Sequence, residues 1–261
     1  MIVVVDAGNT RIKWGVREAG AWVARGALDH ADLAALAAAL TPWAGARALV
    51  ACSVADAGVG AAIESAAQAI GVRIHWVRAE AACAGVSNGY ARPEQLGADR
   101  WAAALGAWGL LGQSCLVVSA GTATTVDFVV AEAGGARFAG GAILPGVDLM
   151  CAALATQTAR LPRAMGRCVP WPDNTDDAIA TGCLQAQAGA IERLHRQLPA
   201  GAPCLLAGGA AEAVMPLLDL PVRRVDDLVL LGLLRVAAAN GIDSGIDPGI
   251  DPRINPGGAP A

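Results

Sequence analysis

Met1-Ile2-Val3-Val4-Val5-Asp6-Ala7-Gly8-Asn9-Thr10-Arg11-Ile12-Lys13 opens the chain. Val3 to Val5 form an apolar run that ends on a carboxylate, followed by Gly8 and Asn9. That pattern predicts a central strand running into a tight turn. Ile12 to Val16 and Trp22 to Gly26 read as two further strands of a meander. A helix is expected from Asp29 or His30 through Leu40, with Pro42 just beyond its end. Ala48 to Cys52 then reads as a strand, Ala55 to Ile70 as a helix and Val72 to Val77 as a strand. Arg78 to Leu96 is loop-like, carrying Gly85, Asn88, Gly89 and Pro93, before a helix from Asp99 to Leu111.

The order of elements begins again at Cys115. Cys115 to Ser119 is an apolar strand, Ala120-Gly121-Thr122 a turn, and Thr124 to Val130 and Arg137 to Ile143 two more strands. Helices near Val147 to Thr156 and Thr175 to Gln197 follow, then a strand at Cys204 to Ala207, a glycine turn, and a last helix from Asp226 to Ala239. Two successive units, each opening with strand, polar turn and strands, predict a duplicated α/β fold with a cleft between halves at 1–112 and 113–240. Residues 241–261 differ in kind. The near-repeat GIDS, GIDP, GIDP, RINP has too little apolar surface to order itself and reads as a disordered tail. A calcium-binding glycine-aspartate repeat would need a different period.

Composition removes several function classes. Of 261 residues 55% are hydrophobic and 16% charged, enough apolar side chains for a sizeable core and too few charges for a disordered chain. A net charge of -4 with no basic run excludes a duplex nucleic-acid footprint. The seven cysteines are scattered, with no CxxC and no histidine at zinc spacing, which fits reduced thiols in a cytoplasmic protein. Trp101 to Val126 carries no charge, but Gly106, Gly109, Gly112, Gln113 and Ser114 divide it into helix, turn and strand, so no membrane span is expected. The amino terminus lacks a basic region and holds Asp6 where a signal peptide needs apolar residues.

Three polar turns carry the chemistry. Asp6 to Lys13 sets a carboxylate at the end of a buried strand beside small residues, hydroxyl and amide donors and one ammonium group. Such a set suits phosphate and magnesium, although it is not a Walker loop, and a plain β-hairpin turn accounts for the string equally well. Lys13 is the only lysine and Tyr90 the only tyrosine of the chain. Ser119-Ala120-Gly121-Thr122-Ala123-Thr124-Thr125-Val126-Asp127 again follows an apolar strand with glycine, hydroxyls and a carboxylate. Leu205-Leu206-Ala207-Gly208-Gly209-Ala210-Ala211-Glu212 leaves a strand and enters a helix. It is either ordinary packing or a place for a nucleoside against bare backbone.

These strings, in order with Gly97-Ala98-Asp99-Arg100 and with Asn174-Thr175 followed by Ala178-Ile179, resemble the motifs of type III pantothenate kinase from Met1 to about Ala239. That family belongs to the acetate-and-sugar-kinase, heat-shock ATPase and actin superfamily, so the resemblance implies α/β halves of ribonuclease-H-like, actin-like ATPase architecture. It implies ATP-dependent phosphorylation of the primary hydroxyl of pantothenate, the first step of coenzyme A synthesis. By resemblance Asp6, Ala7, Gly8, Asn9, Thr10, Arg11, Ile12, Lys13 and Thr122 bind ATP, with Asp6 organising Mg2+ through water. Tyr90, Gly97, Ala98, Asp99, Arg100 and Thr175 contact pantothenate, and Asp99 is the catalytic base. A homodimer with its substrate site near the subunit interface is also implied.

One position departs from the pattern. Two residues before Gly121 the family usually carries an aspartate that helps hold an activating K+ or NH4+, and here that residue is Ser119, whose hydroxyl adds no charge. The resemblance therefore implies a monovalent cation while Ser119 puts its site in question. Asp99 at a helix start reads otherwise as an N-cap, and Arg100 as a partner for Glu94. His30, His75 and His195 lie outside the motifs and read as surface or capping residues. Two other functions remain open at this point: a different phosphotransferase or phosphatase of the superfamily, and a non-catalytic regulatory accessory factor.

Overall fold

The computed structural model describes residues 1–157 and 166–242. In chain order the elements are β1 (Ile2–Ala7), β2 (Arg11–Glu18), β3 (Ala21–Asp29), α1 (Ala35–Leu40), β4 (Leu49–Ser53), α2 (Ala57–Ala69), β5 (Ile74–Trp76), β6 (Ala82–Cys83), β7 (Val86–Asn88) and α3 (Ala98–Leu111). They continue as β8 (Cys115–Ala120), β9 (Ala123–Glu132), β10 (Gly135–Pro145), α4 (Val147–Gln157), α5 (Thr175–His195), β11 (Cys204–Ala207), α6 (Ala211–Val214), β12 (Val222–Arg224) and α7 (Leu228–Ala239). Two compact units result. The first holds Met1–Gln113, Ala131–Ala139 and the segment beginning at Asp227; the second holds Ser114–Val130 and Gly140–Asp226.

In the first unit β1 is the middle of a sheet ordered β3-β2-β1-β4-β5. It pairs antiparallel with β2 and parallel with β4. A middle strand covered on both faces has no use for a polar side, which is why Ile2 to Val5 are all buried. On one face Val3, Val5 and Ile12 pack with Leu36 and Leu40 of α1 and Val59 and Ile63 of α2. Helices α3 and α7 pack against each other and contact β4 and β1. On β2 and β3 tryptophans alternate with glycines: a β-carbon at Gly26 would collide with the Trp14 ring, and one at Gly15 with Trp22.

The second unit repeats this plan. β8 pairs antiparallel with β9 and parallel with β11, which pairs parallel with β12, giving the order β12-β11-β8-β9-β10. The order repeats β5-β4-β1-β2-β3, and the sense of the β12–β11, β11–β8 and β8–β9 pairs repeats that of β5–β4, β4–β1 and β1–β2, so the duplication expected from element order is present in the strand topology. Leu116, Val118 and Val126 form its core with Ile191 of α5 and Leu206 of β11.

The linear halves and the compact units assign α7 differently, because α7 packs on α3 of the first unit. A β-carbon at Gly106 of α3 would overlap the Leu228 carbonyl, and one at Gly232 of α7 the Ala102 carbonyl, so two bare glycines let these helices cross at backbone contact. Asp227 at the start of α7 also accepts from Arg25 of β3.

Other elements differ from expectation for local reasons. The helix expected from Asp29 or His30 to Leu40 is a 3-10 turn over His30–Asp32 followed by the short α1. Asp29 stays in β3 opposite Arg11. The loop-like stretch 78–96 contains the β6–β7 hairpin, turned by Ala84 and Gly85 with φ of 48° and 82°. β12 was not foreseen as an element, while α6 is the helix that the glycine turn at 208–209 was expected to enter. The uncharged run from Trp101 is split as expected: α3 ends on Gly112 at φ 59° and β8 begins at Cys115. Among the described residues no helix is long and apolar enough to cross a membrane. All seven cysteines are free thiols. From residue 243 the expected tail lies outside the described residues.

Candidate active site

Strand register sets the first cluster. Asp6 near the end of β1 lies opposite Lys13 on β2 and Cys52 on β4. The Cys52 thiol donates to Asp6 Oδ1 across 3.7 Å. Burial, with the negative charge of Asp99 second, raises the Asp6 carboxyl from 3.8 to about 6, against the lowering effects of Lys13 and the thiol. Burial and the same two carboxylates hold the Cys52 thiol far above its ordinary range, so it remains a neutral donor.

Asn9, Thr10 and Arg11 are exposed on the turn that follows. The Gly8 N–H donates to the Arg11 carbonyl at 3.1 Å and the His30 N–H to the Thr10 carbonyl at 3.3 Å. His30 Nε2 lies 3.0 Å from the Gly8 carbonyl oxygen. His30, expected as a surface or capping residue, is part-buried and its ring touches the motif itself. Gly8 is outside the left-handed region, and a β-carbon there would meet only the Arg11 carbonyl at an ordinary 3.4 Å. The turn alone does not demand glycine at that position.

The second cluster stands at the start of α3. Gly97 is the N-cap and has no side-chain cap bond, so Asp99 is not the cap. It sits in the first helical turn, where its Oδ1 accepts from the Arg100 N–H at 2.8 Å. Arg100 is only 7% exposed. Its Nη1 donates to the Tyr90 hydroxyl at 3.0 Å, and its guanidinium carbon lies 5.9 Å from the Tyr90 ring centre and 5.7 Å from that of Phe138. Tyr90 and Phe138 meet edge to face at 5.7 Å, and the Tyr90 N–H is tied to Asn88 Oδ1 at 3.0 Å. Glu94 pairs instead with Arg92, which removes the Glu94 reading of Arg100.

The second unit carries the remaining candidates. Ser119 is exposed on β8 between Thr125 of β9 and Ala207 of β11, and Thr122 is exposed on the turn. The Thr122 carbonyl accepts from the Gly146 N–H at 2.9 Å, where a β-carbon on Gly146 would strike the Gly121 and Thr122 carbonyls. Gly121, like Gly8, has an unstrained φ and room for a β-carbon, its nearest neighbour being Ala123 O at 3.5 Å. Gly208 is the opposite case: φ is 101° and the Ala120 backbone fills the space of a side chain. Asn174 caps α5 through the Asp177 N–H at 2.9 Å. Thr175, the first residue of that helix, lines an open apolar cavity of about 400 Å³ with Met150, Leu154, Ile179 and Cys183.

Asp6, Lys13, Tyr90, Asp99 and Arg100 therefore belong to the first unit, and Ser119, Thr122 and Thr175 to the second. His30, Cys52 and Phe138 join the candidates only through the structure. For Cys52 a signal existed, because a parallel strand at 48–52 brings its last residue level with Asp6.

A family model for type III pantothenate kinase matches residues 2–197. The chain belongs to this family. The type III pantothenate kinase of Aromatoleum aromaticum is 54% identical over 239 residues, covering 91% of this chain and 98% of that protein. The one from Azoarcus sp. is 48% identical, covering 94% and 93%. Among solved structures, a candidate 2-dehydro-3-deoxygalactonokinase from Sinorhizobium meliloti superposes with a TM-score of 0.59 at 17% identity, covering 92% of this chain and 99% of that one. A candidate Baf family transcriptional activator from Campylobacter jejuni gives 0.57 at 16% identity, covering 92% and 98%. At such identities these two show a shared fold, the duplicated actin-like one. Membership of a pantothenate kinase family makes the chain a phosphotransferase, and kinases act on a nucleotide carrying a divalent metal. Among the described residues no three metal-binding side chains form a cage. Two mutually repelling carboxylates, one of them desolvated, fit a cation held chiefly by phosphate and water.

Proposed function

We propose that the protein transfers the γ-phosphoryl group of ATP to the primary hydroxyl of pantothenate, giving 4'-phosphopantothenate at the first step of coenzyme A synthesis, with Asp99 as base. The family carries the activity. The observation that supports the roles is the electrostatic coupling of Asp6 and Asp99 within one unit, at the end of β1 and the start of α3. Phosphoryl transfer requires mostly positioning and charge neutralisation. The turn from Asp6 to Lys13 binds the ATP phosphates, and by the family resemblance Thr122 is also an ATP-binding residue. When bound, Mg2+ neutralises phosphate charge, and Asp6 would hold it through water.

Asp99 accepts the proton of the attacking hydroxyl, and Arg100 with Tyr90 receives the pantothenate carboxylate. The buried, pre-aligned guanidinium supports this, since a fixed fork suits a planar carboxylate. Gly97, Ala98 and Thr175 complete the substrate contacts. The protein works in the cytoplasm as a homodimer, a reading supported by its seven free thiols and by the family resemblance. K+ or NH4+ is the activating ion, with weak dependence here because Ser119 supplies a hydroxyl without charge.

The test is ADP production from Mg2+ and ATP with a panel of alcohol acceptors. Pantothenate alone should support turnover; equal rates with sugars, or none with pantothenate at any K+ or NH4+ concentration, would overturn the assignment. Titration of K+ should give little activation, and a steep low-millimolar response would restore a full cation site despite Ser119.

A further inference from the structure

We propose that His30 is a positioning residue for the nucleotide: its ring pins the Gly8 carbonyl and so aims the backbone of the Asp6–Lys13 turn at the phosphates. The inference rests on the reading of that turn as the ATP site. A carbonyl oxygen only accepts, so the 3.0 Å contact assigns the hydrogen to His30 Nε2. The same residue donates its own N–H to the Thr10 carbonyl at 3.3 Å. One histidine thus holds two carbonyls on either side of Asn9.

Peptide planarity turns this into an aiming device. In a trans peptide the N–H points opposite to the C=O, so a Gly8 carbonyl held toward His30 directs the Asn9 N–H away from it. On the reading of this turn as the ATP site, that N–H is the donor offered to a phosphate oxygen. His30 stays in place because Asp29, its neighbour, lies opposite Arg11 and pairs with it at 2.8 Å. Within the turn the Gly8 N–H is held by the Arg11 carbonyl at 3.1 Å, whereas the Gly8 carbonyl faces the His30 ring. An outside group that fixes the peptide plane is what the geometry leaves to do, and His30 supplies it.

The experiment measures binding of ADP and of Mg2+ with ATP by titration calorimetry, and KM for both substrates, in the wild type, His30→Ala and His30→Gln. Glutamine places an amide N–H near the position of Nε2. His30→Ala should raise the nucleotide Kd and KM about five- to tenfold, the loss of one well-placed hydrogen bond, with pantothenate KM changed less than twofold. His30→Gln should return the nucleotide values to within about twofold of wild type. Nucleotide binding unchanged in His30→Ala overturns the proposal. So does a parallel rise in both KM values that Gln does not rescue, which would mark a merely structural role. If the wild type binds nucleotide but does not phosphorylate pantothenate, the functional assignment fails while the binding comparison still decides the role of His30.

Discussion

Asp6 is held in the folded chain in a state it resists. Its carboxyl titrates near 6 rather than 3.8, chiefly from burial and then from the charge of Asp99. A folded-state pKa above the unfolded one means that the ionised group opposes folding. The opposition is fully present above pH 6, falls as the pH drops through 6, and vanishes below 3.8. Asp6→Asn should therefore stabilise the protein by on the order of 1–3 kcal/mol at pH 8 and by little at pH 4, read as the difference between denaturant curves, while activity is lost. Protons also compete with the metal-bearing nucleotide, so its affinity in the wild type should decline below about pH 6. A flat profile from pH 5 to 8 would contradict the assignment of Asp6. Asp99→Asn is expected to lower kcat by ~10²-fold or more with ATP affinity nearly unchanged, and near-normal turnover would remove it as the base. The motif residues stood out as candidates only through their order along the chain, since each type by itself is ordinary in turns and at helix starts. His30 did not: a lone histidine carries no spacing signal, and only the β2–β3 register brings it to Gly8.

At the scale of elements, glycine has two separate uses in this chain. Gly106 and Gly232 make room for α3 against α7, and Gly106→Ala should destabilise by about 1–3 kcal/mol or more, because the added carbon meets main chain rather than a movable side chain. Gly60, inside α2 with nothing within 4 Å of its missing β-carbon, is the control. Gly60→Ala should raise stability by about 0.5–1 kcal/mol through helix propensity, which a pair of thermal melts can read. The long strands and helices could be read from apolar periodicity. The β6–β7 hairpin could not, since strands of two and three residues are too short to show a period. The break between the 3-10 turn at His30 and α1 was hidden for another reason: alanine-rich stretches carry helix propensity without marking where the helix starts.

Across the whole molecule, the duplicated order of strands follows directly from two apolar strands that each end in a polar turn, Asp6 to Lys13 and Ser119 to Asp127. What the linear order concealed is the return of α7 to the first unit, since the close approach that places it depends on single glycines in two distant helices. The solitary lysine and tyrosine both fall in the first unit's candidate site, Lys13 opposite Asp6 and Tyr90 bonded to Arg100. Lys13→Arg keeps the charge but changes its shape, and should lower kcat/KM for ATP by about tenfold or more if the ammonium meets the phosphates. Full activity would make the lone lysine an accident of composition. Pantothenate phosphorylation is tested by ADP release from the purified protein with Mg2+ and ATP, measured with and without pantothenate. Turnover is expected only when pantothenate is present, with 4'-phosphopantothenate formed in equal amount; ADP release independent of pantothenate, or none with it, would overturn the assignment.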